Sequence, residues 1–225
     1  MAIAVDRPAV TLVEATPAAD PAPLGLGAFA LTTFVLSGHN ASFIPDLIWI
    51  GLALFYGGMA QLLAGMWEFR NRNVFGATAF STYGGFWMSL GIFVVLAVVS
   101  KSFGGALAGA ILPNAVAWFL LAFAIFNTYM LLWSTQVTVA VFLVFLTLEA
   151  TEILLVIGNF DAAHGHANNF WIHAGGWVGI VTAAVAWYTS AAGVINGMKA
   201  PQVVLPVGSK LPVFKASPMP RGQQA

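Results

Sequence analysis

Long runs of apolar residues alternate along this chain with short polar connections, and the runs are as long as a bilayer is thick. A helix that crosses a ~30 Å hydrocarbon core needs about 20 apolar residues. Residues 21–45 lie between Asp20 and Asp46 without a charge, and Leu47–Trp67, Gly76–Val99 and Ala115–Trp133 follow. A fifth stretch, Val137–Ile157, carries Glu149 and Glu152, and a sixth runs from Phe170 to about Ala192. The pattern predicts an all-α integral membrane fold of six transmembrane helices. The first has the shortest strongly apolar part, Leu24–Leu36, and is expected to extend toward His39 or Asn40.

Basic loops stay on the cytoplasmic side of a membrane, so Lys and Arg orient the spans. Arg7 precedes the first span, Arg70 and Arg72 separate the second from the third, and Lys199, Lys210, Lys215 and Arg221 follow the sixth. Only Lys101 falls on the other side. This bias predicts both termini in the cytoplasm and a multi-pass protein of the cytoplasmic (inner) membrane. The organisation read from the chain is a disordered N-terminal tail over 1–19, a transmembrane domain over 20–200 and a cytoplasmic C-terminal tail over 201–225. The N-terminal tail lacks the apolar core and cleavage pattern of a signal peptide, and the Pro-containing stretch after Pro201 is likewise expected to be disordered.

Composition narrows the function. Of the 225 residues, 60% are hydrophobic and 7% charged, against about 25% charged in a soluble domain. Eight basic and eight acidic residues cancel, which leaves no cationic field for nucleic acid. The absence of cysteine excludes a disulfide framework, a thiolate metal site and a Cys nucleophile. No lysine falls inside a span, which argues against a retinal Schiff base. His164 and His166 belong to the loop between the fifth and sixth spans, His39 lies near a helix end and His173 is alone near a span, so a facing pair of haem ligands finds little support. Without a Ser/His/Asp set or a cofactor motif, neither an enzyme nor a bound metal or cofactor is expected.

Small residues recur four apart: Gly175, Gly179 and Ala183 near the start of the sixth span, Ala53 with Gly57 and Ala60 with Ala64 in the second. Such stripes let membrane helices approach closely, and helix packing rather than solute contact is their expected role. Leu24, Gly25, Ala28 and Phe29 have the same spacing as Phe75, Gly76, Ala79 and Phe80, which suggests parallel hairpin repeats, three in all, around a central pore.

Polar groups inside the spans need a reason, because an unpaired ionised group at mid-bilayer costs roughly 2.5–3.5 kcal/mol on insertion scales. Glu149 and Glu152 are three apart, neighbours on nearly one helix face. One reading has them protonated and bonded to a neighbouring helix; the other makes them a proton-accepting pair beside a polar pathway. Thr32, Thr33, Asn40, Gln61, Ser81, Thr82, Thr147 and Asn159 are candidates to line such a path, with Gln61 and Asn159 the costliest to bury. Glu68 with Arg70 reads as an interfacial ion pair.

Asp20-Pro21-Ala22-Pro23-Leu24-Gly25-Leu26, followed by Phe29, resembles the Asn-Pro-Ala-Pro-Leu-Gly-Leu signature of the acetate uptake transporter family, which includes the bacterial succinate/acetate permeases. Phe55-Tyr56-Gly57-Gly58-Met59-Ala60-Gln61, Ala64-Gly65, Glu68, Asn73 to Phe80, Tyr83-Gly84 and Phe86-Trp87 extend the likeness. So do His39-Asn40, Ile157-Gly158-Asn159, His173, Gly176-Trp177 and Leu205-Pro206. The resemblance implies a six-helix protomer, a homohexamer and, through each protomer, a conduit for acetate and other small monocarboxylates, with succinate in some members. Its narrowest point would be a ring of Phe29, Tyr83 and Leu148, with Trp87 and Ala186 added to the pathway. Two departures stand out: Asp20 replaces the signature Asn, where it can still cap a helix, and the family pattern has no carboxyl at Glu149 or Glu152. Paired carboxyls suit a neutral solute such as urea, a short amide or ammonia better than an anion, so a neutral-solute channel is the alternative within transport. A non-transporting acetate sensor is the alternative outside it.

Overall fold

The computed structural model describes residues 18–166 and 170–214. Six helices are long and apolar enough to cross a membrane: α1 Ala22–Asn40, α2 Trp49–Arg70, α3 Val74–Val99, α4 Ile111–Ser134, α5 Val139–Ala163 and α6 Phe170–Lys199. A short helix, Lys101–Ala106, sits in the α3–α4 connection. All six predicted spans are present with shifted ends. The sixth continues to Lys199 rather than stopping near Ala192, and the fifth carries on past Ile157 through Asp161. Helical hydrogen bonding outlasts the apolar stretch at both ends because water can solvate the polar side chains there.

Local chemistry sets the starts. Asp20 Oδ1 accepts the Ala22 N–H at 2.9 Å with Pro21 between them, so the capping role expected of Asp20 is present. Asn73 caps α3 through the Gly76 N–H, and Thr138 caps α5 through the Val141 N–H. Thr138→Ala is expected to cost about 1 kcal/mol, read as a lowered melting midpoint in detergent.

The helices pack in a ring in the order α1, α6, α5, α4, α3, α2, with α3 and α4 touching least. Backbones approach where side chains are missing. A methyl group at Gly176 would fall 2.5 Å from the Ala41 nitrogen and 2.8 Å from the Ser37 carbonyl oxygen, which brings α6 against the end of α1. Gly175 faces Leu155 of α5, Gly179 meets Ser37, and Gly57 meets Thr32, so the small-residue stripes serve packing, as expected. A methyl on Gly25 would lie 2.7 Å from the Phe80 ring, which makes the two suspected repeat segments touch each other.

Three features depart from expectation. α2 widens into a π-helical turn over Phe55–Ala60, for which no sequence signal was read. Glu68 does not pair with Arg70: it is 1% exposed, turned into the bundle beside Gly76, and its Oε1 has no hydrogen-bond partner. Residues 201–214 are not a free tail. Val207 accepts the Ala140 N–H at 2.9 Å, Thr135 accepts the Leu211 N–H at 2.7 Å, and Asn196 bonds both Val204 and Leu205. The bundle satisfies backbone groups that the prolines prevent from pairing in a helix. The disorder expected of the first 17 residues, and the tail beyond residue 214, lie outside the described residues.

Candidate functional site: a cavity above an apolar floor

The C-terminal halves of α1, α3 and α5 face the N-terminal half of α4 and the starts of α2 and α6 across a cavity of about 400 Å³. Its wall is mainly apolar. Phe29, Tyr83 and Leu148 lie at its deep end and are all buried. The Phe29 and Tyr83 rings meet edge-on with centroids 5.9 Å apart. The other end, toward the C-termini of α1, α3 and α5, carries His39, Asn40, Asp46 and Asn159. There Asp46 Oδ1 accepts the Trp49 indole N–H at 3.1 Å and lies 3.5 Å from His39 Nε2.

Of the other residues singled out from the sequence, Thr33, Asn40, Trp87, Asn159 and Glu152 line this cavity. Thr32, Gln61, Ala186 and Glu149 do not. Thr32 returns its hydroxyl to Ala28 at 2.9 Å, Gln61 and Ala186 are buried elsewhere between helices, and Glu149 points to α4. The signature segment from Asp20 to Leu26 contributes no cavity wall. Pro23 accepts the Ser190 hydroxyl at 2.6 Å and Gly25 admits the Phe80 ring, so this motif fastens α1 to α6 and α3.

Tyr83 is the centre of an aromatic cluster with Phe29, Phe86, Phe123, Phe126 and Phe145. Its hydroxyl donates to Asn127 Oδ1 at 2.8 Å and lies 3.4 Å from Glu152 Oε1. Asn127, fully buried, donates to the Phe145 carbonyl at 3.0 Å and to Glu149 Oε2 at 2.6 Å. Sequence reading passed over Asn127. The signal was available: an amide in the middle of an apolar span, the same cue that singled out Gln61 and Asn159.

Comparison with known proteins fixes the lineage. Residues 5–209 match the GPR1/FUN34/yaaH family. The chain belongs to that family. It is 43% identical to acetate permease A of Emericella nidulans over 82% of this chain and 64% of that protein. Against ammonia transport outward protein 2 of Saccharomyces cerevisiae the identity is 40%, over 78% of this chain and 61% of the relative. The chain thus spans less than two thirds of the length of these fungal relatives. With the succinate-acetate/proton symporter SatP of Escherichia coli strain K12 it shares 35% identity over 86% of this chain and 97% of that one. Its fold superposes on the structure of the bacterial acetate channel SatP with a TM-score of 0.75 and 33% identity, covering 85% of this chain and 99% of the other. This member of the GPR1/FUN34/yaaH family is a multi-pass membrane protein, all-helical among the described residues, and these four relatives are named as a permease, a transport protein, a symporter and a channel.

Proposed function

We propose that this protein carries acetate and other small monocarboxylates, with succinate as a further candidate, across the inner membrane through the cavity and the Phe29–Tyr83–Leu148 constriction beneath it. The observation that carries the reading is the cavity itself: an apolar vestibule that ends on those three side chains, in a chain similar to an acetate permease and an acetate channel. An apolar constriction disfavours water and bare ions while admitting a methyl group. Cavity-lining Thr33, Trp87 and Asn159 supply polar atoms that replace part of the carboxylate's hydration. With both termini in the cytoplasm, the cavity opens outward. Coupling to a proton, with Glu152 and Glu149 as the groups involved, and assembly as a homohexamer complete the proposal.

A neutral-solute conduit is the second reading, favoured by the relative named for ammonia transport and by a carboxyl in the cavity wall. Uptake of labelled acetate into proteoliposomes, with and without an inward proton gradient, separates the two. Acetate accumulation that rises with the gradient and is competed by unlabelled acetate supports the first. Ammonia or urea flux without acetate flux establishes the second, and acetate binding with no flux of either makes the protein a sensor.

A further inference from the structure

One buried carboxyl has no part in the cavity. The C-terminal half of α2, Gln61–Arg70, packs between α1 and α3, and Gln61, Gly65 and Glu68 share its inward face at positions i, i+4 and i+7. Gln61 and Glu68 are each 1% exposed. Ser81 of α3 stands against Gly65, where its hydroxyl oxygen takes the place of a side chain. Gln61 Oε1, Ser81 Oγ and Glu68 Oε1 are buried and have no hydrogen-bond partner in the protein. Asn73 flanks the carboxyl: its Nδ2 and Glu68 Oε1 both lie 2.6 Å from the point a Gly76 methyl would take, and its Oδ1 is spent on the Gly76 N–H. None of Gln61, Ser81 and Glu68 lines the cavity.

The three atoms define a ligand by what they can accept. An amide oxygen and a carboxyl oxygen take hydrogen bonds, and the single Ser81 hydrogen serves only one of them. A carboxylate solute, which brings acceptors alone, finds no partners here. Water brings two hydrogens and accepts as well. Along α2 the step from Gln61 to Gly65 is about 6 Å and from Gly65 to Glu68 about 4.5 Å, and one bridging water joins polar atoms about 5.5 Å apart. Buried polar atoms in native proteins are nearly always bonded, to protein or to ordered water. Glu68 lies in the last turn of α2, whose exposed end at Arg70 meets the cytoplasm in the proposed orientation.

We propose that Gln61, Ser81 and Glu68 line a hydrated seam, closed to solute, through which Glu68 exchanges a proton with the cytoplasm. In that exchange the Glu68 O–H bond breaks, the proton passes to the adjoining water and along the seam, and the carboxylate remains; the return reverses each step. An ionisable group inside a membrane helix is costly to keep, and proton exchange gives this one a use. The inference rests on the transport reading and deepens it, since it gives the proton an inner route along α2 while the solute passes through the cavity. The charged group that faces Glu68 from α1 is Asp20, just before the helix, and Arg70 and Arg72 follow it on its own helix and in the next turn. From α3 no charged side chain reaches it, because that helix carries none.

The test reconstitutes the full chain and compares acetate accumulation driven by an inward proton gradient with acetate counterflow at equal pH on both sides. Glu68→Gln keeps the size of the side chain but cannot carry a proton, so gradient-driven accumulation should be lost while counterflow persists, and Glu68→Asp should restore part of the loss. Ser81→Ala removes the middle link and should slow gradient-driven uptake about tenfold relative to counterflow. A second readout needs no flux: the infrared difference spectrum of the purified protein between acidic and alkaline buffer. The wild type should show a carboxylic-acid component that shifts in D2O within minutes, as water reaches it, and that Glu68→Gln lacks. Gradient-driven accumulation retained by Glu68→Gln, or a spectrum from which that variant loses no component, overturns the seam. If wild-type liposomes take up no acetate, or take it up without regard to the gradient, the transport reading or its proton coupling fails, and the infrared spectrum still decides the seam.

Discussion

Tyr83→Ala is expected to lower stability by about 3–5 kcal/mol and to abolish size selection together, because one ring both fills the core and forms the floor of the cavity. The ring is buried and meets five phenylalanines, so its removal leaves a void that rigid helices cannot close. Asn127 Oδ1 loses its donor at the same stroke. Tyr83→Phe isolates that last effect: it keeps the ring at the deep end of the cavity, where the constriction is proposed, and its cost should be about 1–3 kcal/mol for the acceptor left without a partner. Thermal unfolding in detergent measures both losses. Uptake of butyrate relative to acetate measures selection, and the ratio should rise in Tyr83→Ala while staying at the wild-type value in Tyr83→Phe. An unchanged ratio in Tyr83→Ala removes this residue from the constriction.

The second large effect is expected on the side of α3 that packs against α2, at a residue outside the cavity wall. A Cβ on Gly84 would lie 2.7 Å from the Leu62 nitrogen and 2.9 Å from the Gly58 carbonyl oxygen, both backbone atoms of α2. Backbone cannot rotate away as a side chain can. Gly84→Ala should therefore push α3 off the π-helical turn and cost about 1–3 kcal/mol in melting stability, with lower yield of folded protein from membranes. Its neighbour supplies the control. Gly85 has no atom within 4 Å of its Cβ position, so Gly85→Ala should change stability by no more than about 0.5 kcal/mol. Equal effects at the two positions would show that helix propensity, not the close approach, governs this contact. The π-helical turn makes that approach possible, and an α-helical α2 would present a different set of residues to α3 from Phe55 onward.

The paired carboxyls show how far a sequence motif reaches. Three residues apart on α5, Glu149 and Glu152 read as one functional unit. In the fold they part, because Asn127 and Thr128 of α4 take one and Tyr83 of α3 stands against the other. Glu68 is a similar case: adjacency to Arg70 suggested an ion pair, whereas the turn that enters α3 buries it beside Gly76 instead.

The sequence by itself determined that the chain lies in a bilayer, how many times it crosses, and the lineage, since apolar length and signature residues are local properties of the string. Only the tertiary structure decided which polar groups share a cavity, that Thr33, Trp87 and Glu152 stand in one layer, that Asn127 holds the central tyrosine, and that the signature motif fastens α1 to α6 and α3. The physical reason is that these helices are apolar on every side. Periodicity then marks no inward face, and the direction a side chain takes is set by partners on helices distant in sequence.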